Sequence, residues 1–250
     1  KPARTYGKGE RKSGYKRIFR TIGDYSYDSY FKKLVDPTIN IYKKNKKTSL
    51  HKSKIKINHN NVSHTKRLGL IEKKDENFLL TPLGNQYLKT QISPKKLFRK
   101  QMLRYHEIHE ERRLFPYRAF LKILIEVKTL NWFEFVFAIY TLYDSSPENI
   151  ALAVEDVKYI RQNYPNMQIS NQQNKKKFLK ELNEYFGSNY NKDDIWTSKT
   201  TVANQYIYFK NHLSLFDEYI IIYKKGKKII LREKSIAKLN KLLAEDSKIE

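Results

Sequence analysis

The stretch from Asn60 to Arg67 gathers Asn60, Asn61, Ser63, His64, Lys66 and Arg67 within little more than two helical turns. Amides pair well with adenine, a guanidinium suits the acceptors of guanine, and hydroxyl and ammonium groups suit phosphate oxygens. The cluster therefore has the chemistry of DNA recognition, although His64 taken alone reads as structural. A second series, Ser198, Lys199, Thr200, Thr201, Asn204 and Gln205, repeats these residue types late in the chain. HEIHEERR (His106 to Arg113) invites a metal reading but does not sustain one, because His106 and His109 have no third ligand in view. That motif also lacks the spacing of the zinc-protease helix. Cysteine is absent, which excludes disulfide frameworks, thiolate zinc sites and cysteine nucleophiles, and makes a reducing bacterial cytoplasm the natural compartment.

The elements that must carry these residues have clear start and stop signals. Asn60–Arg67 reads as a helix closed by Gly69, after which the chain turns into a strand. Asp75-Glu76-Asn77 is a polar turn, Phe78-Leu79-Leu80 the returning strand, and Thr81-Pro82 a capped helix start. Helix, hairpin, helix is the core of a winged-helix domain, whose first helix enters the major groove while the hairpin forms the wing. Ser198–Leu213, the strand Phe216–Tyr223, the turn Lys224–Lys227, the return Lys228–Leu231 and a last helix over 235–244 repeat that plan. In the second helix Val202, Tyr206, Phe209 and Leu213 share an apolar side, and Lys210 joins the polar side.

Between the two units, apolar spacing predicts four helices. Pro116 opens the first. Asn131 with Glu134 has capping-box spacing for the second, Ser146-Pro147 starts a third that Pro165 stops, and the fourth covers 170–186 with Gly187 as its stop. Upstream, Tyr25–Val35 has helical spacing and Asp36-Pro37 is expected to end it. The fold class expected is mainly α with small β-hairpin wings (α+β), in tandem winged-helix or helix-turn-helix subdomains. The boundaries are a basic arm (1–24), a first winged-helix subdomain (25–93), a linker helix (94–113) and a helical subdomain with the second winged helix (114–250).

Charge supports a polyanion partner. The 250 residues carry 50 Lys plus Arg against 26 acids, a net charge of +24 and a pI near 9.8. With 40% hydrophobic residues, 19 Tyr and 13 Phe, the chain buries a real core rather than forming a disordered basic tail. Heavy use of Lys, Asn, Ile and Tyr fits an AT-rich genome, which accounts for part of the lysine excess but not for its clustering. From Lys1 to Arg20 there are eight basic residues and one acid, among them Arg4, Arg11, Arg17 and Arg20. An extended arm of this kind tracks phosphates or enters a minor groove. Lys43, Lys44, Lys46 and Lys47 form a basic run expected in a loop beside phosphates, and Lys225 and Lys227 tip the second wing. No stretch has the roughly 18 uninterrupted apolar residues of a membrane span, and the first residue, Lys1, is expected to belong to a trimmed piece of something longer.

LGLIEKKDENFLLTPLGNQYL, then FPYRAFLKILIEV, LNWFEFVFAIYTL and LSLFDEYIIIYKKGKKIILREKSIAKLNKLL, resemble in order and wording the recognition region of type IIS restriction endonucleases and related nicking enzymes of the AlwI and FokI kind. The resemblance covers about 60–245. It implies tandem subdomains that read a short asymmetric site in double-stranded DNA, with 60–67 and 198–205 as base-reading helices and a separate nuclease domain cutting nearby. Cutting in that family needs carboxylates and a lysine in a PD-(D/E)xK arrangement, with Mg²⁺ positioning the attacking water. Glu10-x-Lys12, Glu72-x-Lys74, Glu126-x-Lys128, Asp156-x-Lys158 and Asp246-x-Lys248 have the short spacing, but none follows Pro-Asp. Each reads as an ordinary surface pair. The expectation is therefore no catalytic residue, metal ligand or cofactor in this chain, with Mg²⁺ required by a nuclease domain or subunit elsewhere. The rival readings are a winged-helix plasmid replication initiator or transcriptional regulator, and RNA binding through stacked tyrosines. The second rival is weakened because Tyr140 and Tyr206 sit at core spacing.

Overall fold

Pro37 does not end the first helix. The computed structural model describes residues 27–55, 58–109, 112–164, 172–188, 190–191, 201–223 and 228–247. Within them α1 (Tyr27–Tyr30) passes through a π-helical turn, Phe31–Val35, into α2 (Asp36–Asn45). The N–H of Asp36 reaches back to Phe31 O, and the widened turn places Pro37 at the start of α2, where a missing donor is tolerated. The carbonyl of Lys33, four residues before Pro37, has no α-helical donor from that ring. Nδ2 of Asn61 donates to it instead, at 2.7 Å.

The first unit continues with β1 (Ser49–His51), α3 (His59–Arg67), β2 (Ile71–Lys74), β3 (Asn77–Leu80) and α4 (Pro82–Leu88). Its sheet is antiparallel in the order β1-β3-β2, so the returning strand of the hairpin lies in the middle. Gly69 takes φ +66° to end α3, a backbone shape that costs other residues a Cβ clash. Thr81 caps α4 by accepting from Gly84 N at 3.0 Å, and its hydroxyl donates to Gly69 O at 2.6 Å. The T-x-x-G spacing has a packing cause. A Cβ on Gly84 would lie 2.0 Å from Leu70 O, so α4 can sit this close to the α3–β2 turn only with glycine there.

α5 (Pro94–Arg104), capped by Ser93, is more than a polar linker: Leu97, Phe98, Gln101, Met102 and Leu103 are buried on it. The expected linker helix stops at Arg104. The described residues of HEIHEERR are strands instead, β4 (Glu107–His109) pairing antiparallel with β5 (Arg112–Leu114).

The second unit contains α6 (Pro116–Val127), β6 (Thr129–Leu130), α7 (Trp132–Glu134), a second π-helical turn, Phe135–Ile139, then α8 (Pro147–Asn163), α9 (Gln172–Phe186), α10 (Thr201–Leu213), β7 (Ile220–Tyr223), β8 (Lys228–Leu231) and α11 (Ile236–Ser247). The expected capping box is present: Asn131 Oδ1 accepts from Glu134 N at 3.1 Å while Glu134 Oε2 accepts from Asn131 N at 2.8 Å. Arg161 of α8 bonds Glu134 at 2.7 Å and also the carbonyls of Val127 and Thr129, so one side chain ties α6, β6 and α7 together. Its sheet has the order β6-β8-β7, with the returning strand again in the middle. Helix, strand, helix, hairpin, helix thus occurs twice, and in the second copy α7, α8 and α9 are inserted between the first strand and the helix ahead of the hairpin. Two-residue and three-residue strands such as β6 and β1 carry no readable alternation, so the sequence alone predicts hairpins rather than three-stranded sheets.

α10 runs through the middle of this second core. Phe209 stacks on Tyr117 at 4.7 Å and meets Phe120 edge-on at 4.9 Å, while Tyr206 packs on Phe135 at 4.7 Å and Trp132 at 5.0 Å. Among the described residues no helix is long and apolar enough to cross a membrane.

Candidate nucleic-acid interface

Packing decides which face α3 presents. Thr65 and Asn61 point into the fold, Thr65 Oγ1 donating to Asn61 O at 2.7 Å and the Asn61 amide serving Lys33. Asn61 is 9% exposed, so this candidate base reader is committed to the interior. Asn60, Lys66 and Arg67 are exposed, and Ser63 and His64 are half-buried beside them. Nδ1 of His64 lies 3.2 Å from the hydroxyl of Tyr30, which is fully buried. Burial pushes the Tyr30 phenol well above its ordinary range, only partly opposed by the charge of Arg67, so it keeps its proton. The Arg67 guanidinium stands 5.9 Å from the centre of the Tyr105 ring.

Lys43, Lys44, Lys46 and Lys47 are all exposed, but they are not a loop throughout. Lys43 and Lys44 occupy the last turn of α2, where cations favour the helix dipole, and Lys46 is its left-handed cap at φ 51°. The helix continuing past Pro37 carries the run there. The first hairpin turns through Asp75 at φ 52° and Glu76, acids that would repel phosphates. Lys52 removes part of that obstacle by pairing with Glu76, and its hydrogen bond holds the carboxyl below the usual range against the opposing effect of desolvation. Lys73 and Lys74 of β2 remain exposed.

On α10 the buried residues Ala203, Tyr206, Phe209 and Leu213 fix the phase, leaving Asn204, Ile207 and Asn211 outward. Asn204 is exposed as expected for a reading helix and Gln205 is half-buried. Lys210 lies over the Tyr206 ring at 4.7 Å. Ile207, 40% exposed, and Asn211 are additions to the candidate face, recoverable from the i, i+3, i+7 spacing that starts at Asn204. The arm with Arg4, Arg11, Arg17 and Arg20 lies outside the described residues, as do Ser198, Lys199, Thr200, Lys225 and Lys227; the side chain of Thr201 is likewise outside the description.

The family model for AlwI restriction endonuclease matches residues 66–250. The chain belongs to the AlwI restriction endonuclease family. No curated protein matches it. The match opens at Lys66, inside α3, and takes in the first hairpin, α5 and the whole second unit. An AlwI-family protein is a restriction enzyme, and DNA is the partner that membership points to.

The resemblance implies a carboxylate set for Mg²⁺. Among the described residues no group of three or more His, Asp or Glu side chains is placed to hold a metal ion. Glu72 and Lys74 are exposed on the first hairpin. Lys128 donates to Ile125 O at 2.6 Å rather than serving Glu126. Asp156 is buried and Lys158 bonds Glu155 at 2.8 Å. Nδ1 of His106 lies 3.2 Å from Arg104 O at the edge of the β4–β5 pair.

Proposed function

We propose that this chain is the DNA-recognition region of a type IIS restriction or nicking endonuclease, reading a short asymmetric site in double-stranded DNA through two winged-helix units. The observation that carries this reading is the repeated order of elements. In each unit a helix with an exposed polar face, α3 or α10, directly precedes an antiparallel hairpin whose returning strand is the middle of a three-stranded sheet. In winged-helix proteins that helix enters the major groove. Family membership and the net charge of +24 point the same way.

Asn60, Ser63, His64, Arg67, Thr201, Asn204 and Gln205 are the base readers in this scheme. The arm arginines, the lysines at 43–47, Lys66, Lys199, Lys225 and Lys227 neutralise phosphates, with Ser198 and Thr200 bonding them. Binding then falls with salt at a slope of about 0.9 per phosphate contacted. Cleavage and its Mg²⁺ are assigned to a nuclease domain or subunit other than the described residues.

The test is selection of bound duplexes from a random pool at low and moderate salt, followed by incubation of the selected duplex with Mg²⁺. A short asymmetric motif bound without cutting is the expected result. Palindromic or repeated motifs would replace the reading with an initiator or regulator, and cutting would overturn the assignment of catalysis elsewhere.

A further inference from the structure

Phe98 of α5 touches both units. From the first, Tyr30 meets its ring edge-on at 5.1 Å; from the second, His212 does so at 5.0 Å. Each of these neighbours leads to a candidate reading helix. Tyr30 is bonded to His64 of α3, while His212 is part of α10 and lies 2.7 Å from the Tyr117 hydroxyl through Nδ1. Tyr30, Phe98, Tyr117 and His212 are fully buried.

A second route runs beside the first. Arg67 at the end of α3 lies over Tyr105, the residue that ends α5, and Tyr105 meets Tyr117 at 6.4 Å. Tyr117 stacks on Phe209 of α10. One residue past Phe98, Arg99 pairs with Glu218 and stands 5.0 Å and 5.1 Å from the Phe216 and Tyr219 rings, just ahead of the second hairpin. Interlocked rings without access to water have few alternative packings, and close-packed interiors transmit displacement rather than absorb it.

We propose that α5 and Tyr105 form a rigid bridge that fixes the separation and rotation of α3 and α10, so that the two helices read one DNA site of invariant internal spacing. The second half of this statement rests on the DNA reading above. A flexible tether would tolerate a range of separations between two half-sites. A bridge does not: each inserted base pair moves one half by about 3.4 Å and a tenth of a turn relative to the other. Phe98 is then a positioning residue, acting on specificity without touching DNA.

Two measurements test it. The chain has no cysteine, so Lys66→Cys with Asn211→Cys places spin labels only on α3 and α10. In the full chain without DNA, the inter-label distance distribution is expected to be single and narrow, and to broaden when Phe98→Leu is combined with Arg99→Ala. A broad distribution in the otherwise unchanged chain, or equal widths in both proteins, would overturn the bridge. In the unlabelled protein, one base pair inserted between the two halves of the selected site is expected to weaken binding by about tenfold to a hundredfold, the scale of a lost base contact. The double variant should narrow that ratio while still preferring the selected site to random duplex, a combination that a loss of fold would not produce. Equal ratios in both proteins would overturn the fixed-spacing claim. A chain that binds no sequence preferentially would remove the DNA reading and the spacing claim with it, while the distance distribution still decides the bridge.

Discussion

Asn61 Nδ2 stands 2.7 Å from Lys33 O, the carbonyl that Pro37 leaves without a helical donor. A residue type suited to adenine is here a replacement for a missing backbone hydrogen bond. Asn61→Ala should therefore destabilise the chain by about 1 kcal/mol, the net worth of a part-buried hydrogen bond whose acceptor water can partly reach. Denaturant unfolding measures it. The ratio of site-specific to random DNA binding should stay unchanged, and a fall in that ratio without a fall in stability would return Asn61 to the reading face.

In the proposed scheme Arg67 contacts a base and Lys44 a phosphate. Arg67→Ala should cost about 1–3 kcal/mol on the selected site and little on random duplex. Lys44→Ala should weaken both alike and reduce the salt slope by about one. Titrations of the two duplexes at several salt concentrations check this, and equal losses for Arg67→Ala on both would remove it from base reading.

Ile207 presents an apolar side chain between Asn204 and Asn211 on the outward face of α10. Among base edges in the major groove only thymine offers a methyl group. Replacing thymine by uracil at one position of the selected site should weaken the native chain by roughly the 0.8 kcal/mol of a buried methylene-sized group. Ile207→Ala should bind both duplexes equally. If every thymine can be exchanged without effect on the native chain, Ile207 does not contact a methyl.

Glu134 is 2% exposed and is held by Arg161 and by the backbone of its own helix start. Arg161→Ala leaves a buried carboxylate without its cation and frees the carbonyls of Val127 and Thr129. A loss of about 2–4 kcal/mol is expected, less than for a wholly enclosed pair because Arg161 is partly open to water. Unfolding of Arg161→Ala beside Arg161→Ala with Glu134→Gln measures it, and the double variant should recover part of the loss.

Local chemistry made the caps legible. Thr81-Pro82, Asn131 with Glu134, Ser146-Pro147 and the turn at Gly69 each act within a few residues, so spacing alone locates them. Long-range partners set what was not legible. Pro37 continues a helix because a π-helical turn widens it and Asn61, distant in sequence, completes it. HEIHEERR has helical composition, but Glu107–His109 pairs as a strand with Arg112–Leu114. On α3, Asn60 faces out and Asn61 in; successive residues of a helix are about 100° apart, so an error of one position in the packed face exchanges an exposed candidate for a core residue. Tyr30 and Phe98 carry no polar signal of their own, and their place beside His64 and His212 depends on how the two units meet.

The two sheets also differ in when they can close. Leu50 pairs with Phe78, within one short span of chain, whereas Leu130 pairs with Ile229 after α7–α10 have intervened. During synthesis the first unit can assemble its sheet early, while the strand at Thr129–Leu130 waits until α7–α10 and β8 have followed it. Until then the edge that β8 will occupy is open on a nascent protein rich in apolar segments. Slowing or interrupting translation between these partners should therefore leave a chain with a finished first unit and an unfinished second, bound to chaperones rather than to DNA.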